Sequence, residues 1–301
     1  MPHFFEEIVR ILSFSLLANF FFGNLSSAEV PKKGSLRNPV KMIFVPSGDS
    51  QVILTEGSEI ADLLSKRIGL SVKAKIASSY AAAIEAIGAH KVDIGWLATF
   101  SYVLAKEKYD VDLLLIVSRF GSPTYRGQII VREDSRIKNL KDLKGKRMAF
   151  VDPASTSGHI FPKTLLLSKG IFPEKTFSKS IFAGSHNAVI FSILKGEVDA
   201  GATYDDARAA VAKEYPQVFG QTRVLAYTKE IPNDTVCAAK NLDPVIKEKI
   251  KNGLRSLSKD PKESKALKRI YGISELIDFD ALFDPVRRAR KLLKLDSTYL
   301  E

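Results

Sequence analysis

Residues 150–170 read FVDPASTSGHIFPKTLLLSKG, and this stretch decides the architecture. An apolar run ends at Val151, and Asp152-Pro153 turns the chain. Ser155-Thr156-Ser157-Gly158 then opens a helix that stops at Gly170. A strand that feeds a helix start through a short turn is half of a βαβ unit. Three consecutive hydroxyl residues at that start put side-chain donors beside free backbone N–H groups, where the helix dipole adds partial positive charge. Gly158 lets the backbone come close to a bound group. This chemistry suits a tetrahedral oxyanion without requiring an arginine. The competing reading is an ordinary Ser/Thr helix cap.

The same rhythm continues on both sides. Residues 40–45 (VKMIFV) read as a buried strand closed by Pro46-Ser47-Gly48, and 60–68 (IADLLSKRI) as a helix stopped at Gly69. Residues 70–76 read as a strand, 80–87 as a helix, 92–94 as a short strand, 101–106 as a helix start and 111–117 as a strand. The alternation goes on through 128–131, 147–151, 164–167, 180–182, 188–194 and 198–202. It predicts an α/β chain with mostly parallel sheets and helices on both faces. Ligand groups in such sheets sit at the carboxyl ends of strands. Polar clusters fall there, at Ser47-Gly48-Asp49, from Thr99 to Tyr102, from Ser155 to Gly158 and from Gly184 to Asn187. Two lobes of similar size facing one another across a cleft are therefore expected. From Asp243 the chain turns helix-rich and basic, with Pro244 suited to a first helical turn. No repeat of 20–50 residues is visible.

A chain of 301 residues with 45% hydrophobic and 26% charged residues has room for two lobes and excludes disorder, collagen-like repeats and a polytopic membrane protein. The single cysteine, Cys237, excludes an intramolecular disulfide framework and a cysteine-built zinc site. It sits in an apolar run and reads as buried and inert. The apolar run 11–22 (ILSFSLLANFFF) is short for a bilayer span and fits a signal-peptide core. Small residues Ser26-Ser27-Ala28 follow, so cleavage is expected after Ala28, with residues 1–28 as the signal peptide. The acidic Glu6-Glu7 is atypical of such a leader. The net charge of +11 suggests an anionic partner of some kind. Neither a recognition-helix motif nor an aromatic stacking platform accompanies it, and nucleic acid is not expected as a partner.

Eight segments carry a family resemblance, in order and spacing. They are DPASTSG at 152–158 with Pro162 four residues on, YAAAIEA at 80–86, KVDIGW at 91–96 and SPTYR at 122–126. LKDLKGK at 140–146, GSHNA at 184–188 followed by GEVDA at 196–200, and IPND at 231–234 complete the set. Together they resemble the phosphonate-binding proteins, the substrate receptors of phosphate/phosphonate ABC importers. The resemblance covers residues 40–285, nearly the whole mature chain. It implies a type II periplasmic-binding-protein fold with the ligand cleft between lobes, lobe I from 29–128 and 229–301, and lobe II from 129–228. It also implies a periplasmic monomer that passes a phosphonate, phosphite or phosphate to an inner-membrane permease and needs no cofactor or metal.

By the same resemblance, Ser155, Thr156 and Ser157, with Gly158, would hold the phosphonate oxygens. Tyr80 would reach in from the first lobe, Tyr125 from the crossing between lobes, and His186 would donate to the same oxygens. Asp234, with Asp205 or Asp206, would face the far end of the ligand and suit an aminoalkyl substituent. The segment Leu97-Ala98-Thr99-Phe100 departs from the family, whose members often carry Gly and Pro or Asn there. Trp96 reads as core, and Asp93 and Asp199 as structural acids closing backbone N–H groups. An enzyme on the same scaffold would want a nucleophile elbow or a paired metal motif, and neither is present. A sensor acting in trans on a membrane kinase is a variant of the binding role.

Overall fold

Apolar strands joined by capped helices build two sheets in the computed structural model, which describes residues 31–205, 207–278 and 283–293. The first sheet holds β1 (Val40–Phe44), β2 (Val72–Ile76), β3 (Ile94–Leu97), β4 (Asp112–Arg119), β10 (Thr235–Ala238) and β11 (Ile273–Ile277), in the order β11-β4-β10-β3-β1-β2. The second holds β5 (Thr124–Arg132), β6 (Arg147–Phe150), β7 (Lys179–Phe182), β8 (Ala200–Tyr204) and β9 (Thr222–Pro232), in the order β7-β6-β8-β5-β9. Each sheet is parallel where βαβ units build it, β2-β1-β3 in one and β7-β6-β8 in the other. Antiparallel strands enter where the chain crosses between lobes or returns, at β10 and β11 and at β5.

The helices follow their caps. Helix α1 (Ser50–Ile68) begins ten residues earlier than the apolar spacing suggests, because the Asp49 carboxylate accepts the Val52 N–H at 2.9 Å. Its buried stripe is Ile53, Gly57, Ile60, Ala61 and Leu64. Ser79 caps α2 (Tyr80–Gly88) through the Ala82 N–H, and Ser185 caps α6 (His186–Leu194) through the Ala188 N–H. Between these lie α3 (Thr99–Tyr109), α4 (Phe161–Ser168) and α5 (Pro173–Thr176). The short α7 (Ala207–Val211) and α8 (Val218–Gln221) follow, and then α9 (Pro244–Lys259), α10 (Ser264–Tyr271) and α11 (Asp284–Leu292).

The two lobes repeat one device at a constant offset of 106 residues, seen from Tyr80 to His186 and from Asp93 to Asp199. The Asp93 carboxylate accepts the Lys41 N–H at 2.7 Å, while the Asp93 N–H donates to the Lys41 carbonyl. Asp199 does the same with Arg147, accepting at 2.8 Å and donating at 3.0 Å. Each aspartate thus fastens the parallel strand that follows it to the start of β1 or β6. That is why β3 begins at Ile94 rather than at Val92. At the same offset, the residue after each capping serine, Tyr80 or His186, opens a helix at the cleft.

The chain crosses from β4 to β5 through Phe120-Gly121, both with positive φ (49° and 82°), in a turn closed by Arg119 and Ser122 bonding each other's backbone. It returns from β9 to β10 alongside, with Asn233 donating to the Pro123 carbonyl through its backbone and to the Ser122 carbonyl through its amide. In the core of the first lobe, Trp96 stacks on Phe44 (5.3 Å between centroids), with Nε1 on the Met42 sulfur. Cys237 is buried against Gly95, and burial pushes its thiol up to about 12. The expected signal peptide, its cleavage site and Asp206 lie outside the described residues.

Candidate functional site

Several helix starts converge on the cleft. The turn before α1 brings Ser47 and Asp49, α2 brings Tyr80, the start of α3 brings Ala98, and α6 brings His186. Together with the Ser155-Thr156-Ser157 turn they line a cavity of about 130 Å³. This is well below the roughly 300–1,000 Å³ of a drug-sized pocket and suits a compact molecule. The dipoles of the converging helix starts make such a cavity favourable for an anion.

Proline shapes the turn. Pro162 has no N–H and its ring excludes the usual bond to the carbonyl four residues back, that of Gly158. The Gly158 carbonyl instead accepts the Val151 N–H at 3.1 Å, tying the turn to the end of β6. Thr156–Ile160 consequently winds as one π turn, with the Ile160 N–H bonded to the Ser155 carbonyl, before α4 begins. The Ser155 hydroxyl accepts the Gly158 N–H at 3.1 Å, so this residue caps the turn as well as lining the cavity. Thr156 reaches the other lobe, its Oγ1 accepting the Phe100 N–H at 2.8 Å. Each hydroxyl retains its proton for a further bond. Gly158 is needed for a different reason from backbone approach to a ligand. It does not line the cavity, and a Cβ there would sit 2.3 Å from Val151 Cγ2.

Tyr80, Tyr125 and His186 meet at this cavity. Burial raises both tyrosines well above the ordinary phenol range, with the Asp234 charge adding to it, so both remain neutral donors. Tyr125 faces the side chains of Ser157 and Thr99. Burial pulls His186 down to about 3, helped by Arg119, and its Nδ1 pairs with the Thr203 hydroxyl at 2.8 Å. The neutral ring stands edge-on to Tyr204, 4.7 Å between centroids. Asp234 also lines the cavity, and burial pushes its carboxyl up to about 6 against the pull of Arg119. Asp205 does not line it. Its carboxylate lies 3.6 Å from the Arg126 guanidinium and accepts the Arg126 N–H at 3.3 Å.

Sequence reasoning missed Arg119, Tyr204 and Tyr271 as lining residues. Arg119 ends β4, where the carboxyl-end rule places ligand groups, but one arginine among 45 basic residues carries no local signature. Tyr271 ends α10, just before Gly272, and its carbonyl accepts the Arg119 Nε–H at 2.6 Å.

The lobes are closed on each other. Besides Thr156 with Phe100, the Ser101 hydroxyl donates to the Ala154 carbonyl at 3.1 Å and the His186 N–H to the Ser47 carbonyl at 3.0 Å. The Tyr80 N–H approaches the Asp152 carboxylate at 3.4 Å.

Residues 42–281 match the family described as "ABC transporter, phosphonate, periplasmic substrate-binding protein". The chain is 28% identical over 230 residues to the phosphonates-binding periplasmic protein of Escherichia coli K12, covering 75% of this chain and 68% of that one. Among solved structures it is similar to a binding protein component of an ABC phosphonate transporter from Pseudomonas aeruginosa. That match has a TM-score of 0.79 and 22% identity, over 86% of this chain and 87% of the other. It is also similar to PhnD1 of Prochlorococcus marinus in complex with methylphosphonate, with a TM-score of 0.76 and 22% identity, over 85% and 98% of the chains.

Proposed function

The chain belongs to the family of periplasmic substrate-binding proteins of phosphonate ABC transporters, and from that premise we propose that its closed cavity holds one small phosphorus oxyanion through Ser155, Thr156, Ser157, Tyr80, Tyr125 and His186. The observation that carries this reading is the convergence of helix starts from both lobes, with the three-hydroxyl turn, on one compact cavity. The donors are neutral groups already held in place by bonds to the protein. Ser155 is fixed by the Gly158 N–H, Thr156 by the Phe100 N–H and His186 by Thr203. They can therefore bond to an oxyanion with little reorganisation.

No chemistry is needed in this role. The ligand favours the closed form because only there do donors of both lobes reach it together, and differential affinity for that form is sufficient to drive closure. Release to the permease then requires the lobes to be drawn apart. Removal of residues 1–28 after Ala28 takes away Arg10, Glu6 and Glu7 and leaves the basic surplus of the mature protein in place.

Calorimetric titration of the mature protein with methylphosphonate, phosphite, phosphate and sulfate tests the reading. Saturable heat is expected from at least one phosphorus oxyanion. A Ser155→Ala/Thr156→Ala double variant should lose binding by about a hundredfold or more, since two hydrogen bonds to a charged group are worth roughly 1.5–3 kcal/mol each. Heat from none of the ligands, or unchanged affinity in the double variant, would refute the site.

A further inference from the structure

Asp234 taken alone suggests a ligand with a cationic end, because a buried carboxylate attracts an ammonium. The residue that alters this expectation is Arg119, which lines the same cavity. Its Nε–H is spent on the Tyr271 carbonyl at 2.6 Å, and its guanidinium lies 4.8 Å from the centroid of the Tyr204 ring. The first contact belongs to α10 on one lobe and the second to β8 on the other, so the guanidinium is pinned between them at the cleft. Its two terminal amino groups donate to no acceptor among the described residues. The other cations lining the cavity differ. Arg269 is tied to Glu56 and Glu59, and Lys213 is solvent-exposed.

On the reading that this cavity binds a phosphorus oxyanion, we propose that Arg119 sets its ligand class: compact phosphorus oxyanions with no cationic substituent, such as phosphite, phosphate or methylphosphonate, with aminoalkylphosphonates rejected. Arg119 offsets the attraction of Asp234 for an ammonium, since its positive charge lines the same cavity and acts on the same carboxylate. An ammonium inside this cavity would lie close to a pinned like charge in a poorly solvated space, where repulsion is far stronger than in water. An oxyanion instead gains a charge-assisted bond from amino groups that have no other partner among the described residues. The cavity volume of about 130 Å³ agrees, since it leaves little room for a substituent that could avoid the guanidinium.

The test is calorimetric titration of methylphosphonate and 2-aminoethylphosphonate into wild type, Arg119→Gln and Arg119→Lys, with folding of each variant checked by circular dichroism. Wild type should bind methylphosphonate at least about tenfold more tightly than the aminoethyl ligand. Arg119→Gln should narrow that ratio by about tenfold or invert it, whereas Arg119→Lys, which keeps the charge, should preserve most of it. Wild-type preference for 2-aminoethylphosphonate, or a ratio unchanged in Arg119→Gln, overturns the proposal. If Arg119→Gln fails to fold, the wild-type ratio together with Arg119→Lys decides it. Methylphosphonate binding with the wrong ratio overturns only the role of Arg119. Failure of wild type to bind any phosphorus oxyanion overturns the underlying functional reading.

Discussion

His159 lies two residues beyond the hydroxyl run, within the same π turn, with its Nδ1–H donating to the Pro153 carbonyl at 2.9 Å. Its ring stands edge-on to Phe150 and Phe182, at 5.0 and 5.1 Å between centroids. Burial in this aromatic nest pulls the imidazole down from 6.5 to about 4. The folded protein therefore takes up no proton here until well below the pH at which the unfolded chain does. The stability this group contributes is fully present above pH 6.5 and is lost as the pH falls toward 4. At about 1.4 kcal/mol per pH unit, the gap between the two values amounts to a loss of about 3 kcal/mol by pH 4. The assay is urea unfolding followed by circular dichroism at pH 7, 6, 5 and 4, for wild type and for His159→Phe. The phenyl ring keeps the aromatic packing but cannot titrate, and the unpaired Pro153 carbonyl costs roughly 1–3 kcal/mol at every pH. His186 and Asp234, whose values are also displaced, are common to both proteins and cancel in the difference. The advantage of wild type over the variant should thus shrink by about 3 kcal/mol between pH 7 and pH 4. Parallel stability curves for the two proteins would refute the account of His159 as a buried neutral base.

Three further outcomes are expected. Gly158→Ala forces a methyl to within 2.3 Å of Val151 Cγ2 and should lower stability by about 1–3 kcal/mol while weakening oxyanion binding, read by thermal melting and titration. An unchanged melting temperature would count against the packing role. Thr156→Val removes the acceptor of the Phe100 N–H across the cleft, and small-angle scattering of the unliganded protein should show a shift toward open shapes. A scattering curve identical to wild type would contradict that. Asp199→Ala strips the start of β6 of its carboxylate partner and should cost about 1–2 kcal/mol in urea unfolding, without changing the ratio of ligand affinities. A changed ratio would mean that Asp199 acts on the cavity.

Much of the fold was legible because it rests on local chemistry. The apolar strands and the stops at Gly69 and Gly170 are short-range signals, and the elements they predict are present. The start of α1 was misplaced because its first turn, SQVILTEG, shows weak apolar periodicity, and only the Asp49 cap fixes it. The relation between the lobes is hard to see in the sequence because only scattered positions keep their residue at the 106-residue offset. Ser79 and Ser185 cap alike, and Asp93 and Asp199 fasten strands alike, yet Tyr80 corresponds to His186. Among the residues lining the cavity, Ser155, Thr156, Ser157, Tyr80, Tyr125, His186 and Asp234 stand in the contiguous motifs that carry the family resemblance. Arg119 and Tyr271 were not, because a contact between residues so far apart in sequence is made only by the folded chain. The basic surplus was equally opaque in the sequence. Much of it on α9 is spent on acids, with Lys247 on Asp112, and Lys251 and Arg255 on Asp278.

Among the described residues, the direct bonds between the lobes are few: Thr156 to Phe100, Ser101 to Ala154, His186 to Ser47, Thr99 to Pro232 at the end of β9 and the longer Tyr80 to Asp152 contact. A neutral hydrogen bond contributes only about 1 kcal/mol net, so this set can bias closure but gives it no large margin. Closing also brings helix starts of both lobes toward one point, where their partial positive charges repel unless an anion lies between them. Arg119 adds a full charge to the same wall, which the Asp234 carboxylate offsets only in part because burial disfavours its charged form. An oxyanion reverses the sign of that electrostatic contribution, turning mutual repulsion into attraction from both sides. The features that make the empty closed form only marginally favourable are therefore those that make the occupied one stable. A cationic substituent on the ligand would return part of the repulsion and weaken the closure on which delivery depends.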